Sequence, residues 1–196
     1  MLSKIIEGKT SLNVPTSSLT ETIPPKSPAF FNPQAKLNRD ISMGVYRVFT
    51  KNRESPISMG DPFAGVGARG VRVAVEVPKV DQIFINDGNR YALNLAKKSA
   101  ILNQVADKCK FSNREVCNFL SIHSAPKKRF SIIDIDPFGS PASFFDCGIR
   151  ATMHGGILST AATDLQVLNG LFQGACKRNM AEFQSKQSMG MKLQLD

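Results

Sequence analysis

Histidine and cysteine, two residue types that commonly bind transition metals, are scarce in this 196-residue sequence. The two histidines, His123 and His154, are isolated from each other, which argues against a metal site or a general base at either position. The four cysteines show no C-x-x-C spacing and no histidine near enough in sequence to indicate a zinc site. We expect free and mostly buried thiols in a reducing cytosol. The cysteines are Cys109, Cys117, Cys147 and Cys176.

Long apolar runs are also missing. No stretch approaches the ~20 apolar residues that cross a bilayer, and residues 1 to 9 contain no apolar core of signal-peptide length. The sequence therefore predicts a soluble, cytoplasmic protein without a membrane partner. Acidic residues are outnumbered by basic ones, 16 against 25, which gives a net charge of +9 and a pI near 9.6. This excess favours an anionic partner, because clustered basic side chains displace counterions from phosphates.

The order of segments predicts one α/β domain with an N-terminal arm. Residues 10 to 38 are rich in Ser, Thr, Pro and Asn, and we expect an extended arm or cover there because proline interrupts helices and central strands. From residue 57 onward, short apolar runs alternate with helical patterns, which is typical of βαβ units around a parallel sheet. The predicted division is an arm at 1–56, a sheet domain at 57–178 and a tail at 179–196.

Five strands are expected in that domain. The first ends at Asp61, and the others cover residues 82–87, 109–112, 130–136 and 156–161. Right-handed crossovers would bring all five carboxyl ends to one edge of the sheet, where ligands of α/β proteins bind. The helix after the second strand is expected to pack on the sheet through one apolar stripe. The stripe consists of Ala92, Leu93, Ala96, Ala100 and Ile101.

A glycine-rich loop follows the first predicted strand. Its G-x-G-x-x-G pattern comprises Gly65, Gly67 and Gly70, and such a loop lets the backbone approach a nucleotide closely. The pattern alone fits NAD as well as S-adenosylmethionine, or a turn that binds nothing. Asp61 and Asp87, which close the first two strands, favour S-adenosylmethionine, since its ammonium tail needs no pyrophosphate-binding helix terminus. We expect Asp87 to accept hydrogen bonds from both ribose hydroxyls.

The fourth strand leads into Asp136, Pro137 and Phe138, which suit the methylation of an amine on a base. An exocyclic amine conjugated with a purine ring is a poor nucleophile, so an enzyme has to accept its hydrogen bonds and take up its proton. Asp136 offers a carboxylate for this purpose and Pro137 a carbonyl. Phe138 offers a ring for an extruded base, and such stacking is worth about 1–3 kcal/mol per base in single-strand binders. An ordinary strand-to-turn junction is the alternative.

Two charged segments outside these loops have two interpretations each. In the arm, Arg39 of the Asn-Arg-Asp run at 38–40 can pair with the carboxylate of a methyl donor or form a solvated pair with its neighbouring aspartate. The Lys-Lys-Arg run at 127–129 is a solvated loop or a phosphate contact.

Several of these motifs occur together in the archaeal and eukaryotic tRNA guanine-26 N2-dimethyltransferase family, which the chain resembles from about residue 5 to residue 178. The most specific are Asn-Arg-Asp at 38–40, Asp-Pro-Phe-Gly-Ser-Pro at 136–141 and Ala-Thr-Asp at 162–164, in this order. The resemblance implies a Rossmann-like class I S-adenosylmethionine-dependent methyltransferase fold with a mainly parallel sheet. It also implies methyl transfer to N2 of guanosine 26 in tRNA, giving N2-methyl- and N2,N2-dimethylguanosine.

The resemblance further implies roles for individual residues. Glu115 and Val116 would flank the donor's adenine, although the family commonly has Asp-Ala there. Thr163 and Asp164 close the fifth strand without an assigned role. The full predicted site comprises Asp136, Pro137 and Phe138 for catalysis, and Arg39, Asp61, Gly65, Gly67, Arg69, Asp87, Glu115 and Val116 for S-adenosylmethionine, with no metal.

After residue 178 the sequence no longer resembles the family, whose members continue with further strands and a tRNA-contacting C-terminal domain. We therefore expect a shortened sheet with an open edge, which favours association with another chain, including a second copy. Two alternative functions stay open: an amino-methyltransferase acting on another nucleic acid, and a donor-binding or tRNA-binding remnant or partner subunit without turnover. A dehydrogenase has only the glycine pattern in its favour.

Overall fold

The computed structural model describes residues 1–54 and 56–163. Strands β1 (Leu2–Glu7) and β2 (Thr10–Pro15) form an antiparallel hairpin, and helix α1 (Ser17–Thr20) follows directly. The expectation of an extended arm or cover at residues 10–38 did not include this hairpin or the helix that follows it. The alternation of Leu12 and Val14 with polar residues is a strand pattern, and both side chains are fully buried where the hairpin packs on the domain.

Helix α2 (Lys36–Thr50) is a second departure from the expected arm. A short 3-10 turn, Pro33–Ala35, precedes it, and the side chain of Asn32 caps that turn by accepting a bond from the Gln34 amide at 2.9 Å. The Asn-Arg-Asp run at 38–40 therefore lies in the first turns of a helix and not in a loop. Its buried face carries polar as well as apolar side chains, among them Arg39, Ser42 and Tyr46.

A five-stranded parallel sheet forms the centre of the molecule, as predicted. Its strands are β3 (Ser58–Asp61), β4 (Gln82–Asn86), β5 (Cys109–Ser112), β6 (Phe130–Ile135) and β7 (Thr152–Thr160). Their order across the sheet is β5-β4-β3-β6-β7, and every neighbouring pair is parallel. Strand β7 begins earlier than expected, whereas β4 and β6 each end one residue sooner. Asp87 and Asp136 are thereby the first residues of the loops that follow.

Four helices connect these strands: α3 (Gly70–Glu76), α4 (Arg90–Leu102), α5 (Val116–Ile122) and α6 (Phe145–Ala151). Two hydrophobic clusters result, one of which joins the hairpin with α2, α3 and α4, while the other joins α5 and α6. The predicted stripe of α4 is buried except for Ile101, which is 66% exposed. Leu95 and Ser99 are buried instead. They lie on the face of α4 that meets the hairpin and the sheet.

The cysteines differ from the expectation of free thiols. Cys117 of α5 and Cys147 of α6 form a disulfide, with their Cα atoms 5.5 Å apart. The two residues are 30 positions apart in sequence and meet because α5 and α6 pack against each other. Cys109 is a free thiol, and its burial raises the pKa of that thiol to about 11. Cys176 lies outside the described residues. None of the helices in the described part of the chain is long and apolar enough to span a bilayer.

Candidate functional site

A cleft of about 640 Å³ opens at the carboxyl ends of the central strands. Loops after β3, β4, β5 and β6 form its walls, as expected for the ligand-binding edge of a parallel sheet. The segment before α2 lies across it. The predicted site residues that line the cleft are Arg39, Asp61, Gly65, Arg69, Asp87, Glu115, Val116, Asp136, Pro137 and Phe138.

The two glycines of the loop differ in what they contact. Gly65, with φ +54°, faces the cleft, and its amide donates to Asp87 Oδ2 at 2.7 Å. Gly67, with φ +80°, is outside the cleft lining, and a Cβ atom there would lie 2.7 Å from the Cβ of Ala96. Gly67 therefore allows α4 to approach the loop closely, whereas Gly65 presents the backbone to the cleft.

Asp61 lies at the floor of the cleft and is almost completely buried. Its Oδ2 accepts a bond from the Gly70 amide at the start of α3, at 2.9 Å. Burial and the negative charge of Asp134 raise the pKa of Asp61 to about 8. Neutral pH thus favours the protonated form of this carboxyl group, and a cation bound in the cleft would favour its ionisation.

Asp87 closes the opposite wall and is fixed by backbone donors. Besides the Gly65 amide, it accepts a bond from the Asn89 amide at 2.7 Å. Asn86, which precedes it and is fully buried, donates to the carbonyls of Pro62 and Arg114. Asn86 therefore joins the loops after β3 and β5, a role that sequence reasoning did not assign to it.

Glu115 and Val116 stand at the beginning of α5. The Glu115 carboxylate caps the helix by accepting bonds from the Cys117 and Asn118 amides, at 3.0 and 2.9 Å. This cap holds the exposed Glu115 at the rim of the cleft and leaves the buried Val116 side chain as an apolar wall.

Arg39 forms a buried ion pair near the N-terminus of α2. Its Nε and Nη2 atoms donate to the two carboxylate oxygens of Glu7, both at 2.7 Å, and Nη2 also donates to the Asn32 carbonyl. Although burial favours the neutral acid, the bonds from Arg39 and Arg72 hold the pKa of Glu7 below its ordinary value. Arg39 lines the cleft, and the N-terminal hairpin thereby orients it.

Arg69 contacts the loop after β6, although the sequence assigned it to the donor side of the cleft. Its Nη2 donates to Asp136 Oδ2 at 2.7 Å and to Asn38 Oδ1 at 3.0 Å. Its Nη1 donates to Ser42 Oγ at 2.6 Å and lies 3.2 Å from Asp134 Oδ2. Sequence reasoning assigned Arg69 to the donor and gave no role to Asp134, because nothing in the spacing of the sequence shows this contact.

Asp136, Pro137 and Phe138 form the remaining wall. The Asp136 side chain is 35% exposed and Phe138 is 57% exposed, so both are accessible to a ligand. The ring of Phe30 meets that of Phe138 edge-to-face, with centroids 4.7 Å apart, and the Lys26 ammonium lies 4.8 Å from the Phe138 ring centre. Sequence reasoning did not place Phe30 in the site, since the arm that carries it is distant in sequence.

The loop after Phe138 is hydrogen-bonded to the segment that follows β7. The Gly139 amide donates to Thr163 Oγ1 at 2.9 Å, and the Thr163 amide donates to the Gly139 carbonyl at 3.1 Å. Thr163 also lines the cleft, while Asp164 lies outside the described residues. The Lys-Lys-Arg run at 127–129 is exposed and does not contribute to this cleft.

Comparison with known proteins relates the chain to one family. Residues 8–190 match the family model described as N2,N2-dimethylguanosine tRNA methyltransferase. The chain is 36% identical over 178 residues to a tRNA (guanine(26)-N(2))-dimethyltransferase from Methanopyrus kandleri, covering 90% of this chain and 44% of that protein. It is 39% identical over 178 residues to the protein of the same name from Methanococcus maripaludis strain C7, covering 89% and 46%. The chain spans less than half the length of these relatives.

Solved structures give the same result for the fold. Trm1 from Pyrococcus horikoshii, in complex with S-adenosyl-L-methionine, superposes with a TM-score of 0.73 at 28% identity, covering 91% of this chain and 47% of that one. A complex of aTrm5 with tRNALeu superposes with a TM-score of 0.59 at 19% identity, covering 88% and 44%, and shows the fold alone. The expected Rossmann-like class I methyltransferase fold is confirmed.

Proposed function

The chain belongs to the N2,N2-dimethylguanosine tRNA methyltransferase family, and on this premise we propose that its cleft transfers methyl groups from S-adenosylmethionine to N2 of guanosine 26 in tRNA. The products are N2-methyl- and N2,N2-dimethylguanosine. One observation carries the proposal: the accessible carboxylate of Asp136 stands beside the exposed ring of Phe138, in the cleft that also contains Asp61 and Asp87.

The residues of the cleft fit the methyl donor. A volume of about 640 Å³ lies within the range that is usual for small-molecule sites. Asp87, held by two backbone amides, has lone pairs left for the ribose hydroxyls, and Val116 offers an apolar wall for the adenine. Asp61 would ionise beside the donor's ammonium, and Arg39 would face its carboxylate. When bound, the donor supplies an electrophilic methyl group, and its sulfur keeps the electron pair of the broken S–C bond.

The acceptor side is assembled from the loop after β6. Phe138 and Phe30 offer aromatic surface for a guanine that has left its stack. Asp136 Oδ2 is engaged by Arg69, so Oδ1 is the oxygen available to the guanine amine. The Pro137 carbonyl is a second acceptor for the same amine. As the nitrogen lone pair forms the new N–C bond, the proton of the amine passes to Asp136, which keeps the product nitrogen uncharged.

Transfer RNA as the partner is supported by the family and by the net charge of +9. In this proposal residues 1–56 contribute to both binding sites through the hairpin and α2, residues 57–178 bind the donor, and the protein acts in the cytoplasm. Within the described part of the chain, β5 and β7 are the outer strands of the sheet. Either edge offers a place for association with another chain or a second copy.

The test is to incubate the protein with S-adenosylmethionine and unmodified tRNA, digest the tRNA and identify nucleosides by mass spectrometry. The proposal expects N2-methylguanosine and N2,N2-dimethylguanosine in the wild-type reaction and neither in an Asp136→Asn reaction. Methylation of another base would show that the acceptor is not N2 of a tRNA guanine. Donor binding without any methylated nucleoside would favour a remnant or partner subunit.

A further inference from the structure

Four side chains form a continuous line from the interior of the protein to the cleft. The Tyr46 hydroxyl on α2 donates to Asp134 Oδ2 on β6. The same Asp134 oxygen lies 3.2 Å from Arg69 Nη1, and Arg69 Nη2 donates to Asp136 Oδ2 at 2.7 Å. Three separate parts of the chain thus converge on one carboxylate that faces the cleft.

The inner two members of the line lie outside the cleft. Tyr46 and the Asp134 side chain are each 1% exposed, and neither lines the cleft. They border instead a separate cavity of about 180 Å³ between α2 and the end of β7. A carboxylate buried on a central strand costs several kcal/mol unless it is paired, and β6 is otherwise mostly apolar. A structural role alone would be served by an apolar residue, so Asp134 needs another explanation.

The explanation follows from the geometry of a guanidinium group, whose donors diverge in one plane. Asp134 and Ser42 hold one terminal nitrogen of Arg69, and Asn38 and Asp136 hold the other. Among the described residues, Asp134 is the only acidic side chain that contacts the inner side of the guanidinium. Without Asp134, the uncharged contacts of Ser42 and Asn38 would be left to oppose a turn of Arg69 toward the solvent together with Asp136.

Tyr46 fixes Asp134 in turn. Burial and the charge of Asp134 raise the pKa of Tyr46, so its hydroxyl stays a donor throughout the physiological range. The hydroxyl orients the Asp134 carboxylate, and that carboxylate orients Arg69.

We infer that Asp134 and Tyr46 are positioning residues for methyl transfer, which act through Arg69 to hold the Asp136 carboxylate against the acceptor amine. The inference rests on the proposed function. It also makes Arg69 a residue of the acceptor side of the cleft. Loss of either positioning residue should slow methyl transfer without weakening the binding of the donor.

The experiment compares Asp134→Asn, Tyr46→Phe and the matched control Ser131→Ala. Ser131 is buried on the same strand and bonds the Ser58 amide at 3.3 Å, with no contact to Arg69. Single-turnover rates at saturating donor and tRNA are measured, together with donor affinity by calorimetry. Because a misplaced reacting group can cost roughly 100-fold in rate, Asp134→Asn should slow transfer by about 10- to 100-fold, and Tyr46→Phe less. Donor affinity should match the wild type in all three variants, and the control should keep its rate.

An unchanged rate in both Asp134→Asn and Tyr46→Phe would overturn the inference, as would equal losses of rate and donor affinity. If Asp134→Asn does not fold, the rate of Tyr46→Phe decides the test by itself. Crystal structures of the wild type and the folded variants give a readout that does not depend on turnover. The inference expects the contact of Arg69 with Asp136 at 2.7 Å to persist in the wild type and to be lost in the variants. If the wild type transfers no methyl group, the proposed function fails, and an intact contact in the variants would refute the positioning role separately.

Discussion

Replacing Asp87 by asparagine should weaken donor binding and leave the acceptor side of the cleft intact. The Asp87 carboxylate accepts bonds from the Gly65 and Asn89 amides, both at 2.7 Å, and its remaining lone pairs face the cleft. Asparagine removes the charge and turns one acceptor oxygen into a donor, which opposes a backbone N–H or a ribose hydroxyl. Hydrogen bonds to a charged group contribute about 1.5–3 kcal/mol, so the dissociation constant should rise by about 10- to 150-fold.

Isothermal titration with S-adenosylmethionine measures this change. Asp81→Asn is the matched control, since Asp81 also bonds a backbone amide, that of Ile57 at 2.7 Å, but before β4 and away from the cleft. The control should lower the free energy of unfolding and leave donor affinity unaltered. If Asp87→Asn binds the donor as tightly as the wild type, Asp87 does not hold the ribose and the assignment of the donor site is wrong.

Three further predictions concern the acceptor site, the stability of the glycine-rich loop and the pH dependence of the protein's stability. Asp136→Asn should abolish methyl transfer in a radiolabel assay while calorimetry finds donor affinity retained; a parallel loss of both would place Asp136 in the donor site. Gly67→Ala should lower the free energy of unfolding in urea by about 2 kcal/mol or more, because of its φ of +80° and the nearby Ala96. Gly44→Ala, in open space on α2, should be neutral or stabilising, and equal effects of the two changes would contradict this account. Asp61 ionises near 3.8 in the unfolded chain and near 8 in the folded one, so folding takes up a proton between these values and stability falls as the pH rises through them. This group contributes a slope on the order of 1.4 kcal/mol per pH unit, which Asp61→Asn should remove; urea unfolding from pH 5 to 8 with the same slope in both proteins would refute it.

The sequence predicted the parts of the fold that depend on local pattern and on the handedness of βαβ units. The alternation after residue 57 yields the five parallel strands, and parallel strands necessarily bring Asp61, Asp87 and Asp136 to one edge. The positive φ of Gly65 and Gly67 fits the glycine pattern. The pattern could not show that these two glycines have different roles, since only the packing of α4 shows that Gly67 faces a helix.

Long-range pairing is what sequence reasoning missed. Arg69 meets Asp136 across 67 positions, and Tyr46 meets Asp134 across 88, so no local spacing records either contact. The disulfide between α5 and α6 was missed for the same reason. The N-terminal strands escaped notice because several prolines nearby outweighed a short alternating pattern, although those prolines fall mainly in the segment between α1 and α2.

The central claim is methyl transfer to one guanine of tRNA, and its most direct test is transfer of a radiolabelled methyl group from S-adenosylmethionine to two tRNAs. One carries guanosine at position 26, and the other is identical except for adenosine there. We expect label on the guanosine tRNA alone. Equal label on both tRNAs, or none on either while calorimetry detects bound donor, would contradict it.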